Sequence, residues 1–227
     1  MQRSEFVIII PCYNEEETIE AVISRAMLYA DVCVIDDCST DASPEILAAI
    51  NNIHIIRHKT NTHIARGILD GMQYAMDQGY KYAITMDAGL SHNPDEIPLF
   101  MNHDGADLVL GKRVKKINTP LSRRVLSFVG SLVYNVCLDF PRLWPKPYYS
   151  DLTTGFRRFS RKSMEVLLLA PMKSRSFDFI FESTTLIYRA GLKITEVHIT
   201  YNFSNSSLNS RVLGECIKIV LDIALRK

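Results

Sequence analysis

Short apolar runs alternate with segments of helical periodicity along the first half of the chain. Residues 6–10 form a continuous run of mostly β-branched side chains, which is typical of a strand covered on both faces. Pro11 cannot donate a backbone hydrogen bond to a sheet, so we expect the strand to end there. Asn14 and Glu17 have the spacing of a capping box and predict the start of a helix. The apolar positions that follow recur at helical spacing and predict one buried face: Ile19, Val22, Ile23, Ala26 and Met27.

The same unit of strand and helix recurs. Further strands are predicted at residues 32–35, 53–56, 82–87 and 107–110. Further helices are predicted to begin at Ser43, at Asn61 or Thr62, and near Pro94, and Gly79 is expected to cap the second of them. Alternation of this kind predicts an α/β fold with a mostly parallel sheet and right-handed crossovers.

The pattern changes beyond Gly111, where a basic stretch precedes an apolar segment at residues 125–138. The basic residues are Lys112, Arg113, Lys115, Lys116, Arg123 and Arg124. They predict either a solvated loop before a buried helix or an amphipathic segment at a membrane surface. A turn and strand are expected at 151–159, a helix opened by 177–182, and a strand at 194–201. Residues 211–227 predict an amphipathic helix that either packs on a domain of residues 1–210 or lies at a membrane surface.

Composition narrows the class of protein. A chain of 227 residues suits one α/β domain, and a net charge of +1 argues against nucleic acid as the main partner. The five cysteines lack a metal-binding spacing and suggest a reducing compartment. No stretch approaches the ~20 apolar residues that cross a bilayer. We therefore expect a cytoplasmic protein, with possible peripheral contact at the cytoplasmic face of a membrane.

Acidic residues stand at two predicted strand ends, at Asp36–Asp37 and at Asp87. Ligands of α/β proteins bind where parallel strands end, although Asp87 alone could equally be a turn residue. Carboxylates can bind ribose hydroxyls or a divalent metal, the metal can neutralise a diphosphate, and Lys or Arg can hold the remaining phosphate charge. A nucleotide-diphosphate donor fits these residue types. Neither glycine-rich phosphate-binding motif, that of dinucleotide sites or that of P-loops, occurs.

Three stretches resemble the motifs of family 2 glycosyltransferases. Residues 7–16 are similar to the opening motif, residues 34–41 to the second motif, and residues 87–96 stand where the family carries Asp-x-Asp. Residues 151–157 and 177–182 look most like the dolichol-phosphate, or polyprenyl-phosphate, mannosyltransferase branch. The resemblance implies a GT-A (Rossmann-like) fold with a mixed, mostly parallel sheet. It also implies inverting transfer of a sugar from a nucleotide-diphosphate donor to a polyprenyl (dolichyl-type) phosphate.

The resemblance also implies residue roles. Asp87, Arg113 and Arg124 would be catalytic, with Asp87 facing the diphosphate and a Mg²⁺ or Mn²⁺ ion. The acceptor phosphate is already an anion, so no strong general base is expected, and positioning and charge neutralisation would supply the catalysis. The expected substrate-binding residues are Pro11, Tyr13, Glu15, Asp36, Asp37, Ala88, Gly89, Ser91, Asp151, Arg157 and Glu182.

Two departures from the family pattern keep other functions open. Gly89 replaces the second acid of Asp-x-Asp, which weakens a site for a hard cation. Residues 202–210 lack the late basic motif of the family. The alternatives are a saccharide acceptor, a nucleotide-sugar binding protein with little catalysis, and, with less support, a phospho-acceptor receiver domain. Asp178 and Glu182 could form an acidic pocket on the acceptor side or simply cap a helix start.

Overall fold

The computed structural model describes residues 4–138 and 148–203, together with Lys218. Its centre is a seven-stranded sheet in the order β3-β2-β1-β4-β6-β5-β7. The strands are β1 (Phe6–Cys12), β2 (Asp31–Asp36), β3 (His54–Arg57), β4 (Tyr82–Thr85), β5 (Leu108–Ile117), β6 (Arg157–Ser160) and β7 (Ile194–Asn202). Among them, only β6 runs antiparallel to its neighbours, β4 and β5. The sequence-based prediction of a mixed, mostly parallel sheet is therefore confirmed.

Helices cover both faces of this sheet. They are α1 (Ile19–Ala26), α2 (Ser43–Ala49), α3 (His63–Asp77), α4 (Ile97–Met101), α5 (Leu121–Leu138), α6 (Arg161–Leu169) and α7 (Phe179–Arg189). Side chains alternate along a strand, so Val7 and Ile9 of β1 pack with α3 and α7, while Ile8 and Ile10 pack with α1 and α4. Burial on both faces explains the continuous apolar run of β1.

Local contacts shift some boundaries from those predicted. Asn14 does not begin α1: its backbone is left-handed (φ 55°), and its side-chain oxygen accepts the Thr40 N–H at 2.8 Å. Of the basic stretch after Gly111, Lys112 to Lys116 belong to the second half of β5, and Arg123 and Arg124 belong to the start of α5. Helix α6 was not predicted. Gly79 (φ 81°) and Gly191 (φ 72°) terminate α3 and α7 as expected.

No helix within residues 4–138 and 148–203 is long and apolar enough to cross a membrane. The predicted helix at 211–227 lies outside the described residues, apart from Lys218, and so does most of the loop at 202–210.

Candidate active site

Three loops meet at the edge where β1, β2 and β4 end. The parallel register sets Cys12 opposite Asp36 in β1 and β2, and Ile9 opposite Thr85 in β1 and β4. The carboxyl ends of these strands therefore share one edge, at which ligands of open α/β sheets bind. This edge gathers residues 11–15, 36–41 and 87–89.

Backbone donors of the first loop bind hydroxyls of the second. The Asn14 N–H donates to Ser39 Oγ at 3.0 Å, and the Glu15 N–H donates to Ser43 Oγ at 2.9 Å. Each interaction joins residues about 25 positions apart in the chain, so folding fixes the two loops as one unit.

Asp36 is a buried acid of the second loop. One carboxylate oxygen accepts the Ser39 N–H at 2.9 Å, and the other lies 3.1 Å from Arg57 Nε without hydrogen-bond geometry. The carboxylate therefore supports the turn after β2 from below rather than facing solvent.

Asp37 binds the start of α3. Its carboxylate accepts the N–H groups of Thr62 and His63, each at 2.8 Å, and lies 2.7 Å from His58 Nδ1. The other ring nitrogen of His58 lies 3.1 Å from Asp70 Oδ2. Burial raises the pKa of Asp37, but the hydrogen bonds from His58, Thr62 and His63 outweigh it and hold the pKa below its usual value.

Asp87 lies immediately beyond β4 with 38% of its side chain exposed. A Cβ at Gly155 would stand 3.2 Å from Asp87 Oδ1, so glycine leaves this side of the carboxylate open. Asp87, Pro11, Gly155 and Phe177 line a shallow cleft that opens to solvent. Asp87 is thus an accessible acid at the end of a buried strand.

His92 packs behind Asp87 as a neutral ring. Burial lowers its pKa, and its Nδ1 accepts the Asp87 N–H at 3.3 Å. The 3.4 Å approach of this nitrogen to Asp87 Oδ2 is therefore not an ion pair. The ring also packs against Phe156 and Tyr201, with centroids 5.1 and 5.8 Å away. His92 Nδ1 uses its lone pair to accept the Asp87 N–H, and this hydrogen bond holds the Asp87 loop in place.

Glu15 occupies the space beside Gly89. A Cβ at Gly89 would lie 3.8 Å from Glu15 Oε2, a distance of ordinary contact. Burial raises the pKa of Glu15, and the Asp87 carboxylate raises it further, while a 3.0 Å hydrogen bond from Thr18 opposes the change. Within the described residues, no three Asp, Glu, His or Cys side chains converge on one point. The protein alone therefore offers a cation only a sparse set of oxygen ligands.

Arg113 and Asp151 form a buried ion pair on the other side of Asp87. Arg113 Nε and Nη2 donate to the two carboxylate oxygens at 2.7 Å each, and Nη2 also donates to Thr153. The guanidinium carbon lies 5.1 Å from the centre of the Tyr201 ring. Burial lowers the pKa of Arg113, but Asp151 overcomes that effect and Asp87 adds to the rise. Of the guanidinium nitrogens, Nη1 has no hydrogen bond to a described residue.

Arg124 is exposed at the first turns of α5. Its Nη2 donates to the Lys116 carbonyl at 3.0 Å, and its Nε donates to the Thr119 carbonyl at 3.2 Å. The pKa of Lys116 is lowered by burial first and also by repulsion from Arg113 and Arg124. Arg113, Lys116 and Arg124 therefore form one cationic group.

Arg157 is buried in the interior, below the cleft that it lines together with Asp87. Its guanidinium donates to the carbonyls of Thr154, Ile180 and Leu152 at 2.8 to 2.9 Å, and to Thr184 Oγ1 at 2.9 Å. Burial lowers its pKa to about 10. These bonds join β6 to α7, so the structure places Arg157 in a supporting position rather than at a phosphate.

Glu182 and Asp178 bind a loop. Glu182 Oε2 accepts the N–H groups of Lys173 and Ser174 at 2.9 and 2.8 Å, and Asp178 Oδ1 accepts the Ser176 N–H at 2.6 Å. Asp178 makes no side-chain capping bond to α7, and both carboxylates instead hold the backbone that leads into the helix. The choice between an acidic pocket and a helix cap stays a prediction.

Of three further predicted residues, Tyr13 is accessible and Ala88 and Ser91 are buried. Tyr13 is half exposed on the loop after β1, and Ala88 is buried beneath the Asp87 loop. Ser91 is buried, and its carbonyl accepts the Asn202 N–H at 3.1 Å, which ties the loop to β7.

Several residues that shape the site could not be identified from the sequence. His58 could not be assigned to the site from the sequence, because its contacts with Asp37 and Asp70 depend on the fold. Tyr201 reaches Arg113 only through the pairing of β5 with β7. Gly155 lies within the 151–157 motif, close in sequence to Asp151. That position was the signal that could have identified it.

Comparisons with known proteins identify the family. The sequence model described as Glycosyl transferase family 2 matches residues 7–165. An undecaprenyl-phosphate mannosyltransferase of Micrococcus luteus is 29% identical over 92% of this chain and 89% of its own length. A polyprenol monophosphomannose synthase of Mycolicibacterium smegmatis is 27% identical over 86% of this chain and 76% of its own length.

A solved structure shares the fold. The glucosyl-3-phosphoglycerate synthase of Mycobacterium tuberculosis, in complex with Mn²⁺, UDP-glucose and phosphoglyceric acid, superimposes with a TM-score of 0.73 at 15% identity. The match covers 98% of this chain and 80% of that one. From the family match and the strand-end site together, the chain belongs to glycosyl transferase family 2.

Proposed function

We propose that this glycosyltransferase moves a sugar from a nucleoside-diphosphate donor to a polyprenyl phosphate. The observation that carries the proposal is the exposed Asp87 carboxylate, which lies within electrostatic range of Glu15 on one side and Arg113 on the other. An acid between an open cleft and a cationic group suits two phosphate-bearing substrates. The names of both relatives refer to a mannosyl group and to a polyprenyl-type acceptor, and this supports the acceptor class.

The donor nucleoside is assigned to the joined loops after β1 and β2. Tyr13 presents a half-exposed aromatic ring there, and Pro11 lines the cleft. The hydrogen bonds of Asp37 to α3 suggest that this acid shapes the pocket wall. A rigid pocket lowers the entropy cost of ordering the donor.

The reaction needs no protein base. An anionic oxygen of the acceptor phosphate attacks the anomeric carbon, and a new carbon–oxygen bond forms with inversion. The bond from that carbon to the β-phosphate oxygen breaks, and the nucleoside diphosphate leaves with the electron pair. The contribution of the protein is to align the two substrates and to offset the charge between them.

A divalent cation fits the site when the donor shares in binding it. Mg²⁺ sites often combine one or two carboxylates with substrate phosphates, and Asp87 and Glu15 are the carboxylates beside Gly89. When bound there, Mg²⁺ or Mn²⁺ would neutralise charge on the leaving diphosphate. Because few ligands come from the protein, we expect weak ion binding without nucleotide.

The acceptor phosphate is assigned to Arg113, Lys116 and Arg124. Arg113 keeps Nη1 unbonded to the described residues, and its ion pair with Asp151 fixes the direction of the guanidinium. Lys116 and Arg124 continue the positive charge toward α5.

Calorimetry with nucleotides and transfer to an acceptor panel test the proposal. GDP and UDP are titrated with and without MnCl₂ into the wild type and into Asp87→Asn, which keeps the shape of the side chain. One nucleotide should bind more tightly with Mn²⁺, and Asp87→Asn should remove that gain. With the matching nucleotide sugar, product should form on a short-chain polyprenyl phosphate and not on simple saccharides.

Two results would favour the other functions of this fold. Transfer only to saccharides would reassign the acceptor. Nucleotide binding without transfer or donor hydrolysis would point to a binding protein, the reading that Gly89 favours. Absence of any nucleotide binding would contradict the proposal as a whole.

A further inference from the structure

The end of β7 holds the loop that carries Asp87. The backbone of Tyr201 forms an antiparallel bridge with that of His92. One position earlier, the Thr200 N–H donates to both carboxylate oxygens of Glu96, at 2.9 and 3.0 Å. These contacts fix the last residues of β7 against the Asp87 loop.

The same strand also pairs with the part of β5 that carries Arg113. The two strands are parallel, and Arg113 stands opposite Ile199. Their register shifts between Arg113 and Lys115, so Val114 is an extra residue in β5. A bulge of this kind re-aims neighbouring side chains. The guanidinium beside it reaches the ring of Tyr201, which lies two positions beyond Ile199 and on the same face of β7.

The Tyr201 ring therefore contacts one group from each side of the site. The guanidinium carbon of Arg113 lies 5.1 Å from the ring centre, which is within the range of a cation–π contact. The centre of the His92 ring lies 5.8 Å away at an interplanar angle of 59°. His92 in turn accepts the Asp87 N–H. A rigid aromatic ring thus stands between the support of Asp87 and the side chain of Arg113.

The hydrogen bonds of Arg113 leave room for this second restraint. Asp151 and Thr153 accept from Nε and Nη2, whereas Nη1 has no hydrogen bond to a described residue. The donors of a guanidinium lie in one plane, so bonds on one side of the fork resist tilting only weakly. A ring packed against the guanidinium carbon opposes that tilt.

We propose that Tyr201 is a positioning residue whose ring fixes the direction of Arg113 relative to Asp87. This role rests on the proposed function, in which Arg113 holds the acceptor phosphate and Asp87 faces the diphosphate of the donor. The attacking oxygen and the anomeric carbon must meet in a defined geometry, and a small displacement is costly in rate. The Tyr201 hydroxyl has no hydrogen bond to a described residue, so the aromatic face carries the role.

Steady-state kinetics test the role of the ring. Tyr201→Leu keeps much of the bulk and should raise KM for a short-chain polyprenyl phosphate about five- to tenfold and lower kcat, because a desolvated cation–π contact is lost. Tyr201→Phe keeps the aromatic face and should behave like the wild type. Both variants should bind nucleotide and Mn²⁺ with the wild-type affinity. The matched control is Tyr82→Leu, since the Tyr82 ring makes the same kind of contact with Arg158, at 4.6 Å, but at the start of β4. It should leave KM for the acceptor unchanged.

A double-mutant cycle separates positioning from a general loss of structure. Arg113→Lys keeps the charge but removes the planar guanidinium. If the ring acts through that guanidinium, adding Tyr201→Leu to Arg113→Lys should lower kcat/KM little further. Independent effects, which multiply in kcat/KM, would contradict the proposal.

The side-chain NMR signal of Arg113 tests the geometry without any substrate. The ring current of Tyr201 should displace the Nε–H signal of Arg113, which is assigned by its disappearance in Arg113→Lys. The displacement should persist in Tyr201→Phe and vanish in Tyr201→Leu. Unchanged signals of the other arginines would show that both variants fold.

The outcomes distinguish this role from the proposed function. Absence of transfer by the wild type would reject the proposed function, and the Arg113 signal would then decide alone whether Tyr201 directs the guanidinium. The positioning role is overturned if Tyr201→Leu keeps the wild-type KM for the acceptor, or if the Arg113 signal is the same in both proteins. Equal impairment by Tyr201→Phe would also overturn it, because the hydroxyl would then contact a substrate.

Discussion

In the proposed function the chemistry depends on Asp87, and Gly89 limits the number of carboxylates that could bind a cation beside it. An aspartate at position 89 would meet no backbone, and its carboxylate would join those of Asp87 and Glu15. Cation affinity rises with the number of charged oxygen ligands, and glycine supplies none. The site therefore relies on the donor for the remaining ligands.

Gly89→Asp should raise the affinity for Mn²⁺ in the absence of nucleotide by about tenfold or more. Electron paramagnetic resonance of free Mn²⁺ measures this directly. Gly89→Asn has the same shape without the charge and should leave the affinity near that of the wild type. Equal affinities for all three proteins would show that position 89 does not face the ion.

Asp151 is the counter-charge of a guanidinium that is almost completely buried. Asp151→Asn leaves Arg113 without a full partner, so the free energy of unfolding should fall by about 3 to 5 kcal/mol. Urea denaturation measures the loss. The exposed Arg161–Glu165 pair, at 3.6 Å, is the control, and Glu165→Gln should cost less than about 1 kcal/mol. A similar small loss for Asp151→Asn would mean that the buried pair is not needed to hold Arg113.

At the scale of elements, the carboxylate of Asp37, which follows β2, caps the start of α3. Thr62 precedes α3 but makes no side-chain capping bond, and the carboxylate of Asp37 accepts the N–H groups of Thr62 and His63 instead. The cap joins the end of β2 to the start of α3, which are the walls of the proposed nucleotide pocket.

This cap predicts a pH dependence with a defined sign. The pKa of Asp37 is below 3.8 in the folded protein and near 3.8 in the unfolded chain, so unfolding takes up a proton between the two values. The stabilisation is complete above 3.8 and is lost as the pH falls through the folded value. Asp37→Asn should cost about 1 to 3 kcal/mol near neutral pH and should flatten the acid limb of the stability curve.

Urea denaturation from about pH 5 to about pH 3 checks this expectation. Asp77→Asn, at the exposed C-terminal end of the same helix, is the control and should leave the acid limb nearly unchanged. An acid limb for Asp37→Asn as steep as that of the wild type would contradict the assignment.

The elements that could be predicted are those whose signal is local. The run at 6–10 is continuous because β1 is covered on both faces, and Gly79 ends α3 because its φ is positive. Asn14 misled the prediction, since its side chain bonds to Thr40, 26 positions later, instead of capping α1. The basic residues of β5 were not seen as a strand because their pairing partners come from β7, more than 80 residues away.

At the scale of the whole molecule, the sheet explains why the strand-end acids could be predicted from the sequence as part of the site. Parallel strands place Asp36, Asp37 and Asp87 on one edge whatever the loops do. Their separate roles could not be predicted from the sequence. The carboxylates of Asp36 and Asp37 bind other groups of the protein, and of the three only Asp87 has an open side. That difference depends on Arg57, His58 and Gly155, which the fold brings in from other elements.

The apolar exterior of α5 was also only half predicted. The sequence left a buried helix and a membrane-surface segment as alternatives, because periodicity does not say which side of a helix meets the core. The buried hydrogen bonds of Asn135 and Tyr134 supply that orientation. They place the large apolar side chains of α5 on its outer side.

Mass spectrometry of the lipid product tests the central claim most directly. Wild type and Asp87→Asn are incubated with GDP-mannose or UDP-glucose, Mn²⁺ and a short-chain polyprenyl phosphate. The wild type should add one hexosyl group to the lipid phosphate with one of the two donors, and Asp87→Asn should reduce the rate by about a hundredfold or more, because the charge facing the diphosphate is gone. A wild type that binds the donor but leaves the lipid unmodified, or an Asp87→Asn variant as active as the wild type, would contradict the account.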